Sequence, residues 1–189
     1  NCGACGRVCF IPNAVFACVS GTCVLSQCLT GFADCNQNFA DGCETNVLTS
    51  ITNCGQCNKT CSFANATATC TSGTCSISSC NSGFGNCNSS STDGCEVNLN
   101  TSLSNCGSCG NVCSNLNATA SCTAGACVIT CNIGFGNCDA SAANGCEVNL
   151  SSDISNCGSC GTKCILQNAV AACAASACRI SSCNTGFAN

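Results

Sequence analysis

The stretch Asn105–Cys113 reads Asn-Cys-Gly-Ser-Cys-Gly-Asn-Val-Cys, and close copies of it stand at 1–9, 53–61 and 156–164. From the first cysteine of a copy, the steps to each following cysteine are 3, 4, 9, 5, 5, 7, 8 and 11 residues. The last step reaches the first cysteine of the next copy, 52 residues on. Self-similarity at a fixed period of this length predicts a tandem array of small modules.

The cysteine pattern sets the predicted module boundaries. We expect three complete modules at 1–52, 53–104 and 105–155, followed by an incomplete fourth at 156–189. The third lacks one residue between Cys127 and Cys131, and the fourth contains only six cysteines. We expect the chain to be a window within a longer repetitive protein.

The composition predicts a secreted disulfide scaffold. Thirty cysteines in 189 residues far exceed ordinary usage, and a 52-residue unit buries too little apolar surface to fold without staples. Such density of bridges persists in an oxidising compartment, so we expect an extracellular or cell-surface protein. Only 6% of residues are charged, the four basic ones are scattered and the net charge is −4, which argues against a nucleic-acid partner. No apolar run has the length of a membrane span.

Each module is predicted to be mostly loop with a short β-hairpin. In the first module, β-prone residues at 14–19 and 22–25 flank Ser20-Gly21, a two-residue turn. Cys18 and Cys23 would then face the same side, where they bond to each other or reach the opening loop. The loss between Cys127 and Cys131 must fall in a loop or bulge near the end of the second strand, because a loss inside a regular strand would turn its later side chains over.

Two apolar features recur in the modules. A Gly-Phe stands in all four, and its phenylalanine is predicted to fill the core or to contact a neighbouring module. An aliphatic residue three places before the next cysteine is predicted to pack onto the following module and stiffen the linker. We therefore expect an elongated rod of tandem modules. The phenylalanines are Phe32, Phe84, Phe135 and Phe187, and the aliphatic residues are Ile51, Leu103 and Ile154.

The motifs resemble a known class of surface proteins. Asp-Gly-Cys-Glu-x-Asn-(Val/Leu), Asn-Cys-Gly-x-Cys-Gly-x-x-Cys and Asn-Ala-x-x-x-Cys-x-x-Gly-x-Cys resemble the cysteine-rich tandem repeats of large surface proteins, notably of myxobacteria. The second motif is also similar to the stigma-specific cysteine-rich module. The resemblance covers the three complete modules and implies secretion and a surface role, without a defined activity.

All thirty cysteines are predicted to be oxidised. Because the truncated fourth module keeps an even number of cysteines, the seventh and eighth of each complete module are predicted to bond to each other. These pairs are Cys35–Cys43, Cys87–Cys95 and Cys138–Cys146. The Cys-x-x-Cys pairs are interpreted as structural rather than as zinc or redox sites, because the chain has no His and no βαβ pattern.

Six asparagines lie in Asn-x-Ser/Thr acceptor patterns for glycosylation, which would supply the solubility that so few charges do not. Asn65 and Asn117 occupy equivalent places at the start of a hairpin and are the first choice. Ordinary turn asparagines are the alternative interpretation. The six are Asn58, Asn65, Asn88, Asn100, Asn117 and Asn149.

The polar loop before each Gly-Cys-Glu has two interpretations. It alternates oxygen side chains, as a weak calcium site would, or it is a turn whose glutamate caps backbone donors. No other cofactor is expected. The candidate ligands in the first module are Asp34, Asn36, Asn38, Asp41 and Glu44.

The sequence predicts a structural rather than an enzymatic role. The absence of histidine excludes Ser-His and Cys-His catalysis, and near-identical copies make a poor acid/base site. We expect the subunit of a glycosylated extracellular fibre, sheath or stalk that self-associates into a filament. The alternative is a set of spacer repeats in an adhesin or ligand-binding ectodomain.

Overall fold

The computed structural model describes residues 1–188. No helix occurs within that range, and every sheet in it has two antiparallel strands. The predicted fold class, a small disulfide-rich protein made mostly of loops with short hairpins, is confirmed. The strands are β1 (Ala14–Val19), β2 (Thr22–Cys28), β3 (Phe32–Ala33), β4 (Thr45–Asn46), β5 (Ala66–Thr71), β6 (Thr74–Cys80), β7 (Phe84–Gly85), β8 (Val97–Asn98), β9 (Ala118–Thr123), β10 (Ala126–Cys131), β11 (Phe135–Gly136), β12 (Val148–Asn149), β13 (Ala169–Ala174) and β14 (Ala177–Cys183).

Each repeat contains one hairpin of two longer strands, and each complete repeat adds one short strand pair. The hairpins are β1–β2, β5–β6, β9–β10 and β13–β14, and the short pairs are β3–β4, β7–β8 and β11–β12. Both turn residues of every hairpin have positive φ, as in the turn type that matches the twist of the strands. Ala175 and Ser176 keep this geometry without glycine, with φ of 52° and 59°.

The one-residue loss in the third repeat removes a β-bulge. In β1–β2, Val15 pairs with Gln27 and Phe16 with Leu25, so Ser26 is an extra residue on the second strand. The second and fourth hairpins have the same register shift. The third hairpin pairs without one, from Cys131 opposite Ala118 to Ala126 opposite Thr123. The prediction of a loop or bulge at this place is confirmed.

The buried core consists largely of cysteine. The side chains with the least exposure are all half-cystines, namely Cys43, Cys54, Cys95, Cys106 and Cys146, each 0% exposed. Of the two roles predicted for the recurrent phenylalanine, filling the core is wrong, and contact with a neighbouring module stays a prediction. Phe32, Phe84 and Phe135 are only partly buried in the short strand pairs, and Phe187 is 54% exposed. Disulfide sulfur fills the space that an aromatic ring takes in larger domains.

The described chain divides into two compact units. The first comprises Asn1–Ser82 and Asn88–Glu96, and the second comprises Gly83–Cys87 and the residues from Val97 onward. The division falls inside the predicted module 53–104, because part of that module's tail packs with the repeat that follows. The repeat boundaries therefore stay predictions from the cysteine period. Asn189 lies outside the described residues.

Candidate functional site: the joint between repeats

Each repeat begins with an opening loop, which we define as residues 1–9, 53–61, 105–113 and 156–164. The side-chain oxygen of its first asparagine accepts a hydrogen bond from the backbone N–H five residues on, as when Asn53 accepts from the N–H of Asn58 at 2.8 Å. The N–H of the first cysteine donates to a carbonyl of the same loop, as from Cys54 to Lys59 at 2.8 Å. The Asn-Cys-Gly motif thus closes a compact loop on itself.

The glycine of this motif allows the loop to contact the hairpin turn. A Cβ on Gly55, whose φ is +78°, would lie 2.6 Å from the carbonyl oxygen of Gly73. A Cβ on Gly107 would lie 2.4 Å from the oxygen of Gly125. These approaches are backbone to backbone, so a side chain cannot rotate away to relieve them.

Two disulfides fix the hairpin to the opening loop. In the first repeat they are Cys2–Cys18 and Cys9–Cys23, and the same bonds recur in all four repeats. Cys18 pairs with Cys23 in the strand register, which places both on one side of the ribbon. Of the two arrangements that the sequence allows, the hairpin cysteines therefore reach the opening loop.

The predicted bonds between seventh and eighth cysteines are wrong. Cys43 bonds to Cys28, the sixth cysteine, and Cys35 bonds to Cys57, the second cysteine of the following repeat. The other repeats agree, with Cys80–Cys95, Cys87–Cys109, Cys131–Cys146 and Cys138–Cys160. The hairpin takes only two of the three opening-loop cysteines, so the second of the three is left to bond to a tail.

We call this connection the joint. It comprises the seventh cysteine of one repeat, the linker after its eighth cysteine and the opening loop of the next repeat. The bridged Cα atoms are 5.2, 5.3 and 5.3 Å apart in the three joints. These distances lie within the ordinary range for a disulfide.

Three backbone hydrogen bonds accompany the disulfide in each joint. In the first, the N–H groups of Gly55, Cys61 and Gly73 donate to linker carbonyls at 2.8, 2.8 and 3.1 Å. The acceptors are Val47, Ile51 and Leu48. The same set recurs in the second joint with Leu99, Leu103 and Asn100 as acceptors, and in the third with Leu150, Ile154 and Ser151. The linker thus lies along the next repeat as an ordered strap.

The predicted linker contact involves a different residue. Ile51, Leu103 and Ile154 are 47%, 46% and 46% exposed, so they contribute mainly their carbonyl oxygens. Val47, four residues earlier, is only 8% exposed. At the equivalent place, Leu99 lies 3.2 Å and the bridge sulfur of Cys109 lies 3.1 Å from where a Cβ on Gly85 would stand. The apolar contact of the joint therefore lies beside its disulfide.

Two cysteines in residues 1–188 are free, so the prediction that all thirty are oxidised is wrong. Cys5 is the second cysteine of the first repeat, and Cys183 is the sixth cysteine of the fourth. Their counterparts bond to a seventh cysteine of the preceding repeat and to an eighth cysteine of the same repeat. The described residues hold no such partner for either thiol.

Sulfur atoms also cluster beneath each hairpin. In the second repeat, Sγ of Cys54, Cys61 and Cys70 lie within 4.8 Å of one another. Each belongs to a disulfide, so none is a thiolate ligand while the protein is oxidised. The cluster consists of two adjacent bridges, which accords with the structural interpretation of the Cys-x-x-Cys pairs.

The polar segment after each seventh cysteine, which we call the tail loop (36–41, 88–93 and 139–144), forms a hydrogen-bonded turn. The following glutamate caps a backbone donor, as when Glu44 accepts from the N–H of Cys35 at 3.0 Å. Glu96 and Glu147 cap donors at 3.2 and 2.9 Å. The pKa of Glu44 is lowered, first by a hydrogen bond from its own backbone N–H and further by that of Cys35.

An amide and a carboxylate side chain form a hydrogen bond that closes the tail loop. The two groups exchange positions between repeats. The amide of Asn88 donates to the carboxylate of Asp93 at 2.7 Å, and Asn36 donates to Asp41 at 3.0 Å. In the third loop the acid and the amide exchange places, so that Asn144 donates to Asp139 at 2.8 Å. The exchange preserves the bond.

These contacts bear on the calcium interpretation. In the first loop the amides of Asn36 and Asn38 both donate to Oδ2 of Asp41, and Oδ1 of Asn36 accepts from the N–H of Asn38. Oxygens of Asn36, Asn38, Asp41 and Glu44 thus already accept hydrogen bonds from N–H groups, whereas Oδ1 of Asp34 accepts none. The geometry favours the turn interpretation, in which the glutamate is a cap.

The candidate glycosylation sites differ in what their amide nitrogen contacts. Nδ2 of Asn65 donates to the carbonyl of Cys95 at 3.3 Å, and Asn117 donates to Cys146 at 3.1 Å. Asn13, which is not in an acceptor pattern, makes the same bond to Cys43. These asparagines thus have a structural role, and the Nδ2 of Asn88 donates to Asp93.

The remaining acceptor asparagines are exposed. Asn58 has a φ of 63° at a position where the other three repeats have glycine. Asn149 accepts a hydrogen bond from Ser151 through Oδ1, and Asn100 lies beside Gly83. Glycosylation at all six asparagines stays a prediction.

One feature of the joint gave no signal in the sequence. Oδ1 of the residue before each seventh cysteine is inaccessible to solvent and accepts no hydrogen bond, and this recurs at Asp34, Asn86 and Asn137. All three repeats place a polar side chain with the same unpartnered oxygen beside the inter-repeat disulfide.

No described helix has the length and apolar character needed to cross a membrane. The disulfide density is typical of extracellular and secreted proteins. No protein-family model matches the sequence, and searches of curated proteins and of solved structures found no match.

Proposed function

We propose that this chain is a load-bearing segment of an extracellular structural fibre, sheath or stalk. The observation that carries the proposal is the disulfide in each joint, which connects successive repeats independently of the linker. A bridge within a repeat stabilises that repeat alone, whereas a bridge between repeats transmits force from one to the next.

The covalent path through the bridges is much shorter than the backbone. From Cys28 it runs seven residues to Cys35, crosses to Cys57, runs four residues to Cys61, crosses to Cys75 and runs five residues to Cys80. These 16 steps replace 52 residues of backbone. The path from Cys131 to Cys183 has the same three parts.

A stretched repeat is therefore limited in length. At the usual reach per residue, the bridged path spans about 65 Å, whereas 52 residues of free backbone would span about 180 Å. A fibre built in this way resists extension even after its hairpins have lost their hydrogen bonds. Such behaviour suits a surface structure under tension and is not needed by an enzyme, so we propose no catalytic role.

The remaining parts of the proposal concern the assembly. Copies of one joint repeat the same connection, so we propose that the repeats extend as a rod and that chains associate further into a filament. A protein with 6% charged residues needs solubilising groups, for which we propose glycans on the exposed acceptor asparagines. Small-angle scattering should give a radius of gyration well above the roughly 16 Å of a globule of this size.

Single-molecule stretching tests the function. The oxidised chain should extend to about a third of the length of the reduced chain, because the bridged path replaces the backbone. Replacing all three joint bridges with serine pairs (C35S/C57S, C87S/C109S and C138S/C160S) diverts the path through the linkers and lengthens it by five residues per joint. The stretched, oxidised variant should be longer by about 50 Å.

Two results would contradict the proposal. An oxidised chain that stretches as far as the reduced one has no continuous bridged path. A joint variant with the length of the native protein shows that load does not pass through the joints.

A surface groove favours the alternative function, a ligand-binding ectodomain. It has a volume of about 490 Å³ and lies between the linker residues Leu103 and Ser104 and the strand residue Ala120. At the place of Ala120 the first repeat has Phe16, and the corresponding hollow is only about 260 Å³. Titration with a panel of extracellular oligosaccharides, using the A120F variant as a filled control, would detect binding that depends on this groove.

A further inference from the structure

We propose that the groove beside the second joint binds the phenyl ring of Phe39 from a second copy of this chain. The inference rests on the proposed fibre function and deepens it by naming the surfaces through which chains associate. The groove has a volume of about 490 Å³ and is lined by the linker residue Leu103, the opening-loop residue Val112 and the strand residue Ala120, among others.

The first observation is that the other repeats fill the equivalent space with their own side chains. Asn115, two residues after the third cysteine, lines the groove in the third repeat. The other repeats have Ile11, Phe63 and Leu166 at this place. Ile11 is only 7% exposed, and Phe63 and Leu166 are partly buried, whereas Asn115 is exposed. The third repeat therefore leaves open a place that accepts an apolar side chain as large as phenylalanine.

The second observation is the apolar surface of the groove. Leu103 and Val112 line it and are 46% and 56% exposed, and Leu116, beside Asn115 in the chain, is 55% exposed. The side chain of Asn115 makes no hydrogen bond within residues 1–188. Clustered apolar side chains in solvent indicate a surface that contacts a partner.

The groove is also continuous with an interface that the chain already forms. The N–H of Cys113 in the opening loop donates to the carbonyl of Leu103 in the linker at 2.8 Å, and both residues line the groove. Its two walls are thus held together by the second joint before a partner arrives. A preformed groove lowers the cost of association, because little of it has to be ordered on binding.

The occupant is indicated by an exposed aromatic ring in the first tail loop. Phe39 is 64% exposed, and the other two tail loops have Ser91 and Ala142 at its place. The hydrogen bonds that close the first tail loop join Asn36 to Asp41, so the turn does not need the ring. One repeat thus has an extra exposed ring and another lacks an apolar side chain, and the two departures are complementary in size and polarity.

The ring and the groove belong to different repeats, so a contact between copies joins two different surfaces. Each copy can insert its own Phe39 into one neighbour and receive the ring of another. A heterologous contact of this kind continues beyond two copies unless the assembly closes into a ring. It therefore supplies the association into filaments that the proposed function requires.

Sedimentation velocity of the native chain over a concentration series tests the proposal. F39S and N115F each introduce a residue that another repeat has at the same place, so both variants should keep the fold. The native chain should form species larger than dimers, and each variant should associate roughly tenfold or more weakly, as expected when an aromatic anchor is lost. The control is F10S, which removes another phenylalanine of the first repeat, 82% exposed, and should associate like the native chain.

A mixture of the two variants gives the sharper test. F39S keeps the groove and N115F keeps the ring of Phe39, so an equimolar mixture has one intact contact. The mixture should form a heterodimer that does not grow further.

Four results would overturn the proposal. They are a native chain that stays monomeric, an F39S or N115F variant that associates like the native chain, a mixture without heterodimer, and an F10S variant as weak as F39S. The last would show that any exposed aromatic ring promotes association. The stretching experiment uses single chains, so it tests the fibre function whether or not this contact forms.

Discussion

The joint and the tail loop adjoin each other in the chain but tolerate change very differently. At the joint, one residue type stands wherever backbone packs on backbone or sulfur bonds to sulfur, as with the glycines of the Asn-Cys-Gly motif and the bridging cysteines. In the tail loop, Asn-Gln-Asn, Asn-Ser-Ser and Asp-Ala-Ser all form the same turn. Backbone atoms contact one another at the joint, whereas side chains contact one another in the tail loop, and only side chains can be exchanged in matched pairs.

Two glycine replacements in one opening loop give the strongest test of this comparison. Gly107 and Gly110 both have a φ of +78°, but a Cβ on Gly107 would lie 2.4 Å from a backbone oxygen, whereas Gly110 has open space around it. Gly107→Ala should cost about 2–5 kcal/mol through strain and overlap together. Gly110→Ala should cost about 1–2 kcal/mol, from the backbone conformation alone.

Oxidative refolding yield and native-state amide exchange would measure the difference between the two variants. Equal effects would show that the close approach to Gly125 is not what fixes glycine at position 107.

Removal of one joint bridge should have the next largest effect. The Cys138–Cys160 bond closes a loop of 22 residues, so C138A/C160A should lose about 3 kcal/mol of local stability. The amide of Gly158, which donates to Leu150 across this joint, should become the first to exchange.

The control is C164A/C178A, which opens a bridge within the fourth repeat and leaves the joint closed. It should leave the exchange of the Gly158 amide nearly unchanged. If both variants release this amide alike, the joint depends on the whole fourth repeat rather than on its own disulfide.

The tail loop should tolerate an exchange that the joint would not. Asn88→Asp places a second carboxylate beside Asp93 and removes a hydrogen bond, at a cost of roughly 0.5–1 kcal/mol. The double variant N88D/D93N reproduces the arrangement of the third loop, so it should recover most of the loss. Thermal unfolding of the two variants and the native chain measures the recovery. A double variant no more stable than the single variant would show that the amide and the carboxylate are not interchangeable.

The smallest effect should come from pH. The pKa of Asp139 is lowered from its usual value of 3.8, first by a hydrogen bond from the N–H of Ser141 and then by the amide of Asn144. Because the folded pKa is the lower one, the stabilisation is complete above 3.8 and is lost as the pH falls through the lowered value.

The NMR shift of the Ser141 amide should follow this titration below 3.8, and in D139N it should not. A midpoint at or above 3.8 would show that the hydrogen bonds do not favour the charged carboxyl.

The hairpins could be predicted from the sequence because their determinants are local. A two-residue turn between β-prone runs fixes the register, and the register places Cys18 and Cys23 on one side. The missing residue in the third repeat pointed to the bulge at Ser26 for the same reason. Such features depend on neighbours within a few residues.

The joint was missed because parity alone is a weak guide to pairing. The fourth repeat has six cysteines, but they do not form three internal pairs. Cys160 bonds to the preceding repeat and Cys183 is free, so an even count is compatible with more than one pairing scheme. A better count starts from the hairpin, which consumes two of the three opening-loop cysteines and leaves one for the tail. Alignment of the tail loops would likewise have revealed the exchange of Asn88 and Asp93 for Asp139 and Asn144.

The overlap of the disulfide loops has a consequence for degradation. Every peptide bond from Cys28 to Cys75 lies inside at least one disulfide ring, so a single cut there leaves both pieces attached. Between Cys2 and Cys178, the segments outside any ring are short, at 23–28, 75–80 and 127–131, and each belongs to a paired strand of a hairpin. A protease needs an extended, unpaired substrate. The segments whose cleavage would separate the chain are paired strands, so they are poor substrates. A surface structure made of these repeats would accumulate backbone cleavages without releasing fragments.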